Sequence, residues 1–279
     1  MKPSLPEYPN ITKFLSNLAE YKDTFLYDRL CNPNYGFWPH LEYFLANVNR
    51  FKNHESITER LALIVPLNMN PQLAWANWQK FRSAQSEVTT VFIIENYFLG
   101  QVLEFVPVSR ERTPDIKVCL NNFEHTIEVK AQSGQQQGTK HPREKGLNSF
   151  SPQDEIDLTS WLFVEKISSR DGKLMKPKTI EADEQGADIL IAMTDYFNSI
   201  QDINAQVSFV CPDSKFIEEK NIVVKMVAPL IAHFYKSTYP INRNLINLKE
   251  IWFFDESRLD RFVVLSSESR LLEHLKNTR

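Results

Sequence analysis

Pro114-Asp115 stands at the head of one apolar alternation, DIKVCL, and Glu128-Val129-Lys130 lies inside a second, HTIEVKA. Side chains alternate faces along a strand, so Glu128 and Lys130 point the same way, with Thr126 and Gln132 in line. Ile127 and Val129 then point into the opposite layer. Asn121-Asn122 between the two runs is a turn signal that sends the chain back antiparallel. The strand end carrying Glu128 and Lys130 is thereby returned to Asp115. Two carboxylates and an ammonium meet at one sheet edge. Paired carboxylate oxygens suit a hard divalent cation, Mg²⁺ above all, with the Val129 carbonyl as a further ligand. An ammonium beside them stabilises charge or orients an attacking water. The chemistry is metal-dependent phosphodiester hydrolysis; the bland reading is a hairpin that carries charge.

The pieces of this pattern are common, and position separates them. Glu20-Tyr21-Lys22, Asp171-Gly172-Lys173, Asp213-Ser214-Lys215 and Glu218-Glu219-Lys220 have the same acid-x-lysine spacing. Glu20 and Lys22 fall in a helical pattern, where residues two apart face different ways. Pro212-Asp213 precedes Glu218 too closely for a strand, a turn and a returning strand. Asp115, Glu128 and Lys130 alone have strand context on both sides.

The elements that must position them read in three parts. Residues 1–83 form a helical, aromatic-rich region: FLSNLAEYKDTF, HLEYFLANVNRF, ITERLALIV and PQLAWANWQKF carry apolar residues at spacings of three and four. Residues 84–195 predict a helix over 85–99 ending near Gly100, and strands over 102–108, 114–120 and 125–131. A helix over 154–168 and a buried strand in ADILIAMT complete an α/β core with a mixed sheet. Residues 196–279 predict an α/β region, with strands in VSFVC and RFVVL and helices in VVKMVAPLIAHFYK and SRLLEHLKN.

Composition bounds the function without choosing it. The net charge of −3 gives no polybasic signature, and 19 Phe, 9 Tyr and 5 Trp supply a large core. Cys31, Cys119 and Cys211 are odd in number and widely spaced, which fits reduced thiols rather than a disulfide framework. No apolar leader and no membrane-length run is present, so a cytoplasmic protein is expected. GxGxxG, GxxxxGK[ST], GxSxG and HExxH are all absent.

Pro114-Asp115 and Glu128-Val129-Lys130, within the element order of residues 85–195, resemble the PD-(D/E)xK nuclease superfamily. The resemblance covers about 110 of the 279 residues. It implies a restriction-endonuclease-like fold in which Asp115 and Glu128 hold Mg²⁺ and Lys130 assists the nucleophilic water. It also implies a carboxylate on the preceding helix, for which Glu95 and Glu87 are the candidates. Glu95 follows Val88 and Val91 on the apolar stripe, where a carboxylate needs a partner or a metal, and is the expected choice. A nuclease of this size without a motor motif looks like a type II restriction endonuclease acting on double-stranded DNA as a homodimer. Repair, transposon and phage-defence nucleases share the core, and a non-catalytic nucleic-acid-binding protein is the other class. Gln132 extends the active face toward substrate. Lys140, His141, Arg143 and Lys145 follow directly, as a solvated loop or as a DNA-contacting one. His141 lacks a second histidine at ligand spacing and is not a metal ligand.

Overall fold

The computed structural model describes residues 7–30, 35–64, 71–107, 113–132, 162, 166–167, 174–194, 215–219, 222–226, 245–255 and 262–266. The expected helix at 269–277 and the expected strand at 207–211 lie outside them; of the expected helix at 154–168, Leu162 is helical, whereas Lys166–Ile167 form a short strand paired with Leu174–Met175, which ends the helix earlier than expected. The fold is α/β: a mixed sheet flanked by helices.

The α-helices are α1 (Pro9–Ser16), α2 (Trp38–Asn47), α3 (Glu55–Leu61), α4 (Pro71–Asn96) and α5 (Lys178–Glu184), with short 3-10 turns at Tyr21–Asp23, Tyr27–Arg29 and Val48–Arg50. The strands are β1 (Gln101–Phe105), β2 (Ile116–Leu120), β3 (Phe123–Gln132), β4 (Lys166–Ile167), β5 (Leu174–Met175), β6 (Ile189–Thr194), β7 (Lys215–Glu219), β8 (Ile222–Met226), β9 (Glu250–Asp255) and β10 (Phe262–Ser266). Eight of them form one sheet in the order β1-β2-β3-β6-β9-β10-β8-β7, and β4 pairs with β5 apart from it. β1, β2 and β3 are antiparallel neighbours, whereas β3, β6 and β9 run parallel.

The hairpin forms as its residues dictate. Leu120 pairs with Phe123, and Asn121 and Asn122 both take positive φ, at 54° and 65°. A two-residue hairpin turn of type I′ has that backbone at both positions, and asparagine tolerates it. β6 and β9 are buried on both faces: Ile189 to Met193 and Ile251 to Phe254 are all covered. Such continuous apolar runs belong to central parallel strands between two layers.

α4 is one helix of 26 residues, so the expected boundary at 83/84 falls in its middle. It lies between α2 and α3 on one side and the sheet on the other, and Phe81 to Val91 is buried apart from Ser83. Phe44 stacks on Phe51, and both meet Phe105 of β1 edge-on, so the N-terminal helices share a core with the sheet. The polar residues of α4 are paired inside this core: Arg82 with Gln85, and Gln85 with Tyr35. A chain in the C-terminal region differs from expectation. Residues 223–226, expected as the start of a helix, are the strand β8, which pairs parallel with β10. Val and Ile fit a pleated ladder once a partner strand is present.

The hairpin turn gives a direct check. Asn122→Ala is expected to cost ~1 kcal/mol in chemical denaturation, because a Cβ without a local polar partner is strained in left-handed backbone. Asn122→Gly should match or exceed the native stability. Equal stability of the two variants would contradict the turn geometry.

Candidate active site

Asp115 sits one residue before β2, hydrogen-bonded to the backbone of Ile127 and Val129, the residues that flank Glu128 on β3. The Asp115 N–H donates to the Ile127 carbonyl at 2.9 Å, continuing the ladder that pairs Ile116 with Ile127. One step further β2 supplies no more backbone. There the Asp115 side chain takes over: the Val129 N–H donates to its Oδ2 at 2.8 Å. Because N–H and C=O of one strand residue point the same way, the Val129 carbonyl projects toward Asp115's side of β3. Register is fixed from the other edge by Asp188, whose Oδ2 accepts the Thr126 N–H at 3.1 Å and whose N–H donates to the Thr126 carbonyl at 2.9 Å.

Glu128 is 1% exposed, deep for a carboxylate. Its Oε1 accepts a hydrogen bond from the Lys130 ammonium, which stays partly open to solvent. Its Oε2 is buried and has no hydrogen-bond partner among the described residues. Gln185, one residue past α5, donates from Nε2 to the Thr113 carbonyl at 3.3 Å, while its buried Oε1 also lacks a partner. Gln185 and Asp115 both stand close enough to Glu128 to lower its proton affinity, yet neither meets Oε2 in hydrogen-bond geometry. An unmet buried acceptor costs ~1–3 kcal/mol, and more when charged. Sequence reasoning missed Gln185, because α5 is short and carries no apolar period.

The electrostatics follow from this crowding. Burial, then the charges of Glu87 and Glu128, push the Asp115 carboxyl well above the usual range; Lys130 and the Val129 N–H oppose them. Burial also raises Glu128, against the nearby Lys130. Burial works to discharge Lys130, but Glu128 and Asp115 outweigh it and hold the ammonium more firmly charged than usual.

The helix acid near this pair is Glu87 and not the expected Glu95. Arg60 of α3 clamps Glu87 with two hydrogen bonds of 2.7 Å, and Ser83 adds one of 2.9 Å. Glu95, eight residues along α4, is buried as expected but serves the fold. It accepts from Tyr43 Oη at 2.6 Å, from Arg50 at 3.0 Å and from the Val102 N–H at 3.1 Å. Gln132 is the last residue of β3, on the row of Glu128 and Lys130. Lys140, His141, Arg143 and Lys145 lie outside the described residues.

Among the described residues, no three His, Cys, Asp or Glu side chains are arranged to hold a metal ion. Asp115 and Glu128 nevertheless fit Mg²⁺ in one respect. Mg²⁺ keeps several waters and is commonly held by one or two carboxylates together with substrate phosphate. A buried carboxylate oxygen without a partner, beside a second carboxylate, is the donor such an ion takes. Comparison with protein-family models, curated proteins and solved structures found no match to the chain.

The carboxylate pair carries a stability signature. Both proton affinities are raised on folding, so their stabilising contribution is complete below the usual carboxylate range and is lost as pH rises through the raised values. Asp115→Asn keeps an acceptor for the Val129 N–H and removes the charge. In EDTA at pH 7.5 it is expected to raise the melting temperature by about 2–4 °C. The gain should vanish near pH 4, where the native pair is protonated. A lower melting temperature at pH 7.5 would contradict the repulsion.

Proposed function

We propose that the chain is a Mg²⁺-dependent endodeoxyribonuclease of the PD-(D/E)xK superfamily, acting on double-stranded DNA as a type II restriction endonuclease does. The observation that carries the proposal is the buried, unpartnered Oε2 of Glu128 beside Asp115, with Lys130 on the same strand face. The succession of α4, β1, β2 and β3, followed after the small β4–β5 pair by α5 and β6, is compatible with the helix, three strands, helix, strand order of that superfamily's core.

Asp115 and Glu128 would hold the ion, with the Val129 carbonyl on the same side of β3. Mg²⁺ bound there supplies a Lewis acid for the phosphate and lowers the pKa of a water. The chain's own groups do the rest. Glu128 would offer the ion its unpartnered Oε2 while Lys130 remained on Oε1, so binding would not require the ion pair to break. Lys130, partly open to solvent, presents its ammonium to the attacking water and to the scissile phosphate. Gln132 continues that face toward the duplex. Lys140, Arg143 and Lys145, with His141, follow β3 closely enough in sequence to contact phosphates. One centre cuts one strand, so cleavage of a duplex calls for a second copy, most simply as a twofold dimer. Repair, transposon or phage-defence duties would use the same centre.

Lys130→Ala tests the chemistry against simple binding. The single-turnover cleavage rate is expected to fall by at least ~100-fold, the lower range for groups that move protons or stabilise charge. DNA affinity in Ca²⁺ should change little, because it is spread over many phosphate contacts. Lost affinity with an unchanged rate per bound complex would instead make Lys130 a phosphate anchor, and the protein a binding module.

A further inference from the structure

Glu87 acts electrostatically on Asp115, and both of its oxygens are spoken for. Arg60 Nη1 meets Oε1 and Nη2 meets Oε2, each at 2.7 Å, in the two-pronged geometry that suits guanidinium and carboxylate. Ser83 Oγ donates to Oε1 at 2.9 Å. The guanidinium is itself fixed: Nε donates to the Ser56 carbonyl at 3.1 Å, and Nη1 also reaches Ser83 Oγ at 3.3 Å. The Glu87 side chain is 3% exposed, so water does not compete for it. Glu128 is as deeply buried but differs in its partners: among the described residues its Oε1 meets Lys130 alone, and its Oε2 is unmet. The two acids whose charges act on Asp115 therefore divide, one closed by a cation of the chain and one open.

We propose that Arg60 is a built-in cation of this centre: by closing Glu87 it limits the site to one divalent ion, at Asp115 and Glu128. The inference rests on the nuclease reading. Two-metal phosphoryl-transfer sites place the ions ~3.5–4 Å apart and need carboxylates for both. Here the third carboxylate is neutralised by a group that keeps its charge at every working pH. Arg60 and Glu87 are both within electrostatic reach of Asp115, so the pair adds no net charge while setting the local field. Its place in α3 and α4 also ties the N-terminal helices to the site.

Mn²⁺ binding, followed by electron paramagnetic resonance without DNA, tests this directly. The native chain is expected to bind one Mn²⁺. Arg60→Met opens Glu87 and should add a second ion, or tighten the first by at least about tenfold through the unmasked charge. The double variant Arg60→Met with Glu87→Met replaces the buried pair by apolar side chains, a change that folds tolerate well. It should again bind one Mn²⁺, within about threefold of the native affinity, since a neutral pair replaces a neutral pair. Loss of Mn²⁺ in the double variant, or an unchanged single variant, would overturn the inference and leave the nuclease reading standing. A native chain that binds no Mn²⁺ would overturn both.

Discussion

Two carboxylates pressed together in a buried site repel each other, and the fold of this chain supplies the force that holds them there. The β2–β3 hairpin brings Asp115 to the stretch of β3 that carries Glu128, with the Asp115 side chain standing in for backbone that β2 no longer provides. Apolar contacts beneath it resist the repulsion: Ile116, Val118, Ile127 and Val129 are buried in one core with α4. That layer is worth ~1.5–3 kcal/mol for each fully buried aliphatic side chain. It can carry a few kcal/mol of unfavourable electrostatics at its rim. The repulsion is the kind that a divalent cation relieves, which links the local instability to the proposed chemistry.

The surrounding polar groups are arranged by the same constraint. Among the described residues, the charges that act on Asp115 are held in ion pairs. Lys130 balances Glu128 from the same strand face, and Arg60 balances Glu87 from a different helix. Gln185 approaches from the far layer, tied to the Thr113 carbonyl just ahead of Pro114-Asp115. β1 to β3 and α4 hold one side of the site. α5 and β6 hold the other, with Asp183 accepting the Ile246, Asn247 and Leu248 N–H groups to anchor the approach to β9. The centre is therefore assembled from elements distant in sequence, although its two acids lie on one hairpin.

The hairpin was legible because its determinants are local. Alternation of period two assigns the face of Glu128 and Lys130, and Asn121-Asn122 fixes the turn, without reference to the rest of the chain. The helix acid was not legible in the same way. α4 is covered nearly all round from Phe81 to Val91, so its apolar stripe does not tell which face looks at Asp115. The choice between Glu87 and Glu95 depends on where α3 brings Arg60 and where the loop after α2 brings Arg50, both non-local facts. Burial of Glu95 followed from its spacing, but its partners are Tyr43, Arg50 and a backbone N–H. Residues 223–226 read as helix because Val-Val-Lys-Met runs on into helix formers; pairing with β10 decides otherwise. β9 escaped because IWFF is a short apolar run, which periodicity cannot assign.

Cleavage of supercoiled plasmid DNA in Mg²⁺, with the native chain and Glu128→Gln side by side, is the most direct measurement. Glutamine keeps the shape of Glu128 and an oxygen for Lys130, and takes away the charge that would hold the ion. The expected result is nicking and linearisation by the native chain, abolished by EDTA and absent in Glu128→Gln, with both proteins folded. Cleavage by the variant at the native rate, or none by the native chain in Mg²⁺ or Mn²⁺, would contradict a metal-dependent nuclease centred on Asp115 and Glu128.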